Sequence, residues 1–179
     1  MGQANIENIV TLEVAKKEEL LKFKRDLQEA FAVAVIETFE PNLDEPIPSD
    51  KDIEESFNAP GAVVYHILSN GKRVGGVVLT IDEMTQHNSL DFFFISINKH
   101  GHGIGHKAWK AIEEKHSEAK VWETHTPYFE KRNIHFYVNK CGFQIVEYFN
   151  KHNLDPHTPD DEDLLGGEDL FRFEKVMKH

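Results

Sequence analysis

The sequence predicts a single α/β domain, residues 1–179, built on one twisted mixed β-sheet flanked by helices. Three observations predict it. The apolar period changes from helical to alternating near Gly61, Asn70-Gly71 separates two β-rich runs, and strand and helix patterns then alternate towards the C-terminus. The 179 residues fit one domain with its own core, and 13 phenylalanines supply much of its bulk. Lys and Arg number 20 against 31 Asp and Glu, so the net charge of −11 argues against a nucleic-acid binder, which needs a basic surface. The lone Cys141 excludes an internal disulfide. No apolar run approaches the ~20 residues of a membrane span, and the polar start has no secretory pattern. The expected setting is cytoplasmic, with no membrane partner.

The elements follow in order. Val10, Leu12 and Val14 alternate with polar neighbours and predict a short strand over residues 9–14. Leu20, Phe23, Leu27, Phe31, Ala34, Val35 and Thr38 recur at three- and four-residue steps, so one helix presents one apolar stripe and ends before Pro41. Residues 41–49 carry three prolines and predict a loop; Ser49 or Asp50 then caps a short helix through Phe57. Residues 62–68 and 74–81 form a hairpin about Asn70-Gly71. Residues 84–89 read as a polar connection and 90–97 as a third strand. The run Asp91-Phe92-Phe93-Phe94-Ile95 is too apolar for a strand with one wet face, which makes it central. A helix follows from the glycines to about His116, a strand over 119–124, a helix over 131–140 with Gly142 at its left-handed end, and a strand over 143–149. Residues 153–169 are an acidic loop, and 170–177 the last strand.

The segment most informative about chemistry is Asn98-Lys99-His100-Gly101-His102-Gly103-Ile104-Gly105-His106. It joins a buried strand to a helix whose apolar face is Gly105, Ala108, Trp109 and Ile112, with His106, Lys107, Lys110, Glu113 and Glu114 outside. A helix N-terminus offers unpaired N–H groups and partial positive charge, and glycines let the backbone approach phosphate oxygens. The expected ligand is the pyrophosphate of a nucleotide-type cofactor. The spacing does not match the dinucleotide fingerprint. His100, His102 and His106 leave a metal cluster open as an alternative, although no acidic residue or cysteine beside them completes a ligand set.

The second informative segment is Lys131-Arg132-Asn133-Ile134-His135-Phe136-Tyr137-Val138-Asn139-Lys140-Cys141-Gly142-Phe143. Together the two segments resemble the GNAT acyltransferase family over about residues 62–149, with the last strand in keeping. His100-Gly101-His102-Gly103-Ile104-Gly105 is similar to the family's glycine motif, with His100 where Arg or Gln is usual. Lys140, Gly142 and Phe143 match a helix ending in Tyr-x-Lys-x-Gly-Phe. The family's tyrosine stands four residues before the glycine, where this chain has Val138. Tyr137 comes one place earlier, ~100° around a regular helix, so either the helix is irregular or Tyr137 is not the equivalent group.

The resemblance implies a splayed sheet that takes acetyl-CoA as co-substrate and transfers its acetyl group to a primary amine. On it, the strand end Phe94, Ile95, Ser96 and Ile97 meets the pantetheine arm and thioester, with a backbone N–H near Ile95 as an oxyanion donor. His100, Gly101, His102, Gly103, Ile104, Gly105 and His106 hold the pyrophosphate, and Asn133, Phe136, Tyr137 and Lys140 border the cofactor. Tyr137 is the candidate acid. An amine of pKa ~10 needs a base, for which Glu123 is preferred to Asp91. His125, Pro127, Tyr128 and the acidic loops 39–50 and 155–169 lie towards the acceptor. A homodimer is common in the family it resembles, and no feature of the sequence decides the oligomeric state. A non-catalytic acyl-CoA-binding module stays open as a second reading.

Overall fold

The computed structural model describes residues 7–38, 46–99, 102–156 and 169–178, and the side chains of 34–38 and 97 fall outside that description. Seven strands form one sheet: β1 (Val10–Val14), β2 (Ala62–Ser69), β3 (Lys72–Thr80), β4 (His87–Ile95), β5 (Val121–Pro127), β6 (Gln144–Phe149) and β7 (Leu170–Val176), in the order β1-β2-β3-β4-β5-β7-β6. Strands β4 and β5 are parallel, while the other neighbours are antiparallel. Helices α1 (Leu20–Thr38) and α2 (Asp50–Asn58) supply the apolar cluster of one face, and α3 (Ile104–Lys115) and the segment after α4 (Lys131–His135) supply that of the other.

The local reasons match the sequence in most places. Asn70 (φ 51°) and Gly71 (φ 79°) both take positive φ, as a two-residue hairpin turn requires. The Ser49 side chain accepts from the Asp52 N–H at 3.1 Å and starts α2. The phenylalanine run of β4 is central and buried on both faces: Phe93 joins the α3 cluster and Phe94 the α1 cluster. Burying each such ring contributes roughly 1.5–3 kcal/mol.

Three features differ from the pattern. Strand β4 starts at His87, because the polar residues His87 and Asn88 pair with Val121 and Trp122. Asn88 also accepts the Asp82 N–H at 3.0 Å. Glu113 is not an outer residue: its side chain is 12% exposed and bonds Lys175 Nζ at 3.0 Å. The helix expected over residues 131–140 is α-helical only to His135, and Phe136–Cys141 forms a π-helical turn. A further determinant is Gly76, whose missing Cβ would lie 2.2 Å from the Phe23 ring. A bare β3 backbone there lets α1 pack flat on the sheet.

Candidate active site at a fork in the sheet

The parallel ladder of β4 and β5 runs from His87↔Val121 to Leu90↔Thr124. Beyond that row β4 stays with β3 (Phe92↔Val78 to Ile95↔Gly75), and β5 stays with β7 (His125↔Arg172 to Pro127↔Leu170). Each strand follows its outer neighbour, so the sheet opens as a fork with its apex at Leu90 and Thr124. The partner rows of β4 skip from Leu90↔Leu79 to Phe92↔Val78, which makes Asp91 the extra residue of a bulge beside that apex.

At the open end, β4 passes through a 3₁₀ turn, Ile97–Lys99, towards α3. Lys107 N–H donates to the Gly103 carbonyl at 3.1 Å as the first bond of α3. The N–H groups of Ile104, Gly105 and His106 precede it and have no acceptor within the helix, the feature that lets a helix N-terminus receive an anion. Gly103 is the N-cap in left-handed conformation (φ 68°). Gly105 has a packing role, since a Cβ there would sit 3.2 Å from the Phe136 ring. Phe136 in turn stacks on Phe93 with centroids 5.4 Å apart. Ile104 is buried in the core, so it can offer a ligand its backbone alone, whereas His102 and His106 are exposed. Ser96 N–H donates to Val74 O at 2.7 Å and is taken up within the sheet. Asn133 is half-buried and Lys140 exposed. His100 and Gly101 lie outside the described residues, as do most of the two acidic loops. Among the described residues no group of three His, Cys, Asp or Glu could hold a metal ion, and no helix is long and apolar enough to cross a membrane.

The π turn settles the direction of Tyr137. Gly142 N–H caps back to the Tyr137 carbonyl, and Phe143 N–H reaches the same oxygen at 2.9 Å. The extra residue between tyrosine and glycine is taken up in the wider turn. Tyr137 therefore points into the core, 5% exposed, between Phe136, Phe143 and Phe173. Thr124, in the last paired row of the fork, donates to the Leu90 carbonyl at 2.8 Å. Burial holds the phenol well above its ordinary pKa, with the nearby Cys141 adding to the effect.

On the other face, Asp91 Oδ1 accepts from Ser89 and Oδ2 from Thr80, both at 2.6 Å. Burial raises the Asp91 carboxyl above its usual range, against the opposing pull of those two hydroxyls and of His125. Glu123 sits in a more solvated place: its side chain is 41% exposed, 3.6 Å from Arg172 and 3.8 Å from His125. Arg172 also engages Glu147 and Glu174. His125 stacks on Phe149 with an interplanar angle of 17°. Thr124, Ser89 and Thr80 carry no signal in the sequence, because their roles depend on which strands pair and where the pairing stops.

A mixed sheet that forks between parallel strands, with a helix N-terminus at the mouth, offers a cleft that can receive an extended ligand with an anionic end. The family model described as "Acetyltransferase (GNAT) family" matches residues 25–143. The chain belongs to that acetyltransferase family, and acyl transfer is its class of chemistry. It is 59% identical over 174 residues to "Uncharacterized protein YrkN" of Bacillus subtilis (strain 168), covering 94% of each chain. Among solved structures it resembles an IAA acetyltransferase from Bacillus cereus (TM-score 0.66, 19% identity, 94% of this chain and 100% of that one). It also resembles a Bacillus subtilis acetyltransferase in complex with CoA (TM-score 0.63, 18% identity, 96% and 100%). A third is a GNAT family acetyltransferase from Elizabethkingia anophelis with acetyl-CoA bound (TM-score 0.66, 16% identity, 94% and 98%).

Proposed function

We propose that this protein is an N-acetyltransferase that moves the acetyl group of acetyl-CoA to a primary amine by direct attack. The observation that carries the reading is the fork itself, with the N-terminus of α3 at its mouth and the buried Tyr137 in the core cluster that contains Leu90 of its apex. Acetyl-CoA supplies the activated acyl group. The α3 N-terminus and the flanking His102 and His106 bind its pyrophosphate, and the end of β4 about Ile95 receives the pantetheine arm and the thioester. The reading takes residues 1–179 as one cytoplasmic acyltransferase domain.

Proton traffic divides between the two faces. Tyr137 returns a proton to the leaving thiolate from the α3 side. The incoming amine must shed a proton on the α1 side, and Asp91 is the better base there. Its raised pKa makes it more basic than an ordinary carboxylate, and the bulge puts it beside the apex. Glu123, the residue favoured on sequence alone, is engaged with Arg172 and half-open to water.

The test is thiol release from acetyl-CoA with a panel of spermidine, phenethylamine and a lysyl peptide. Turnover with an amine, lowered about 100-fold or more in Tyr137→Phe with cofactor affinity kept, is the expected result. A chain that binds acetyl-CoA and acetylates none of these amines would instead fit an acyl-CoA-binding module.

A further inference from the structure

Phe136 opens the π turn, and its N–H donates to the carbonyls of Arg132 and Asn133 in α4. Its ring meets three parts of the candidate site. It stacks on Phe93 with centroids 5.4 Å apart, and Phe93 lies on β4 beyond the last row paired with β5. It lies against the Tyr137 ring, with centroids 5.5 Å apart and planes at 58°. On a third side it meets Gly105, where a Cβ would sit 3.2 Å from Phe136 Cε2 and 3.4 Å from Cζ. The position of a side chain on Gly105 is therefore taken by this ring. Glycine at 105 is required by Phe136, whatever approaches the N–H groups of the same turn. In a close-packed interior such a contact is stiff. One ring thus spaces the first turn of α3 from the segment that carries Tyr137.

We propose that Phe136 is a positioning residue that sets where Tyr137 stands relative to the cofactor cradle. This rests on the acetyltransferase reading, in which the first turn of α3 holds the pyrophosphate and Tyr137 protonates the thiolate. The sulfur is tethered to the pyrophosphate through the pantetheine arm, so the cradle helps to fix where the thiolate forms. The acid has to stand at the matching place, and a misplacement of about 1 Å can cost on the order of 100-fold in rate. Cradle and acid come from distant parts of the chain, and Phe136 is the contact that registers one on the other. It is bonded to Tyr137 through the backbone of the π turn, so a shift of the ring reaches the residue that carries the phenol. Phe93 stacks on the ring from β4, which limits how far it can yield.

The experiment places Gly105→Ala in the wild type, in Tyr137→Phe and in Phe136→Leu, and follows thiol release. Where no panel amine reacts, the slow hydrolysis of acetyl-CoA is followed instead, because its thiolate needs the same proton. The added methyl group presses on the Phe136 ring and removes no N–H group from the cradle. Gly105→Ala is expected to lower kcat about fivefold or more and to leave KM for acetyl-CoA within about threefold. In the Tyr137→Phe background it should alter kcat by less than about twofold, because the rate it costs is the acid's. In the Phe136→Leu background it should again cost less than about twofold, because leucine leaves room for the methyl group. If Gly105→Ala does not fold, as judged by thermal unfolding, Phe136→Leu takes its place: it should lower kcat about fivefold or more with Tyr137 present and less than about twofold without it. A folded Gly105→Ala protein that melts lower and keeps the wild-type kcat makes the contact one of packing alone and overturns the proposal. A loss carried by KM alone, or an equal loss in all three backgrounds, overturns it too. Wild-type protein that releases no thiol in either assay overturns the acetyltransferase reading and this proposal with it, whereas thiol release that ignores Gly105→Ala overturns this proposal alone.

Discussion

At the scale of single residues, the two faces of the fork hold ionisable groups whose surroundings push them in useful directions. Asp91 is a carboxylate in a place that disfavours its charge, with only part of the cost offset by Ser89 and Thr80. Its folded-state pKa lies above the unfolded value, so it binds its proton more tightly in the folded chain, and folding loses stability as pH rises through that pKa. Asp91→Asn should therefore leave the midpoint of thermal unfolding at neutral pH unchanged or higher while it lowers kcat by about 100-fold or more. In the wild type kcat/KM should fall as pH drops through the Asp91 pKa, above the ordinary aspartate range, and that limb should vanish in the variant. Paired pH–rate and melting series check both. A variant that melts lower and keeps its turnover would return the base to Glu123.

At the scale of elements, the segment from α4 to Gly142 shows what a sequence pattern can and cannot convey. The inward stripe of Tyr137 and Cys141 was legible from its spacing, and both are buried. The way one surplus residue would be absorbed was not legible, because a regular helix and a π turn share the same apolar residues and differ in backbone hydrogen bonds. The strand limits behave likewise. The phenylalanines announced the middle of β4, but its polar start and the bulge at Asp91 depend on partners far along the chain. The glycine loop was legible as a helix start, while the need for Gly105 came from Phe136, some thirty residues away. Deleting the exposed Asn139 leaves Tyr-Val-Lys-Cys-Gly-Phe, with the tyrosine four residues before the glycine. The turn should close to a regular helix, Tyr137 should stay inside, and kcat should remain within about tenfold of wild type. Moving the tyrosine instead, by Tyr137→Phe with Val138→Tyr, should not recover turnover, because successive residues of a helical turn point in different directions. Steady-state kinetics on the two variants separate an absorbed insertion from a displaced catalytic group.

At the scale of the whole molecule, a chain of net charge −11 is expected to bind a polyanion, and the long-range field opposes that. Attraction must come from groups close to the phosphates: the first-turn N–H groups of α3, its dipole and the cations around it. One of those cations is partly occupied, since Lys107 donates to Asn8 O at 3.1 Å. Short-range donors in a fixed cradle resist salt better than a diffuse charged surface does. Acetyl-CoA at about a hundredfold excess over Kd should add ~2.7 kcal/mol to the folded state, which is about 5–11 °C in melting midpoint for a domain of this size. The shift should be absent with NAD or ATP at the same concentration. It should also shrink only modestly when salt is raised, because screening weakens the opposing global field together with the local attraction. A shift abolished by moderate salt would mean that surface charge dominates binding. No shift at millimolar acetyl-CoA would remove the cradle on which every catalytic role above depends.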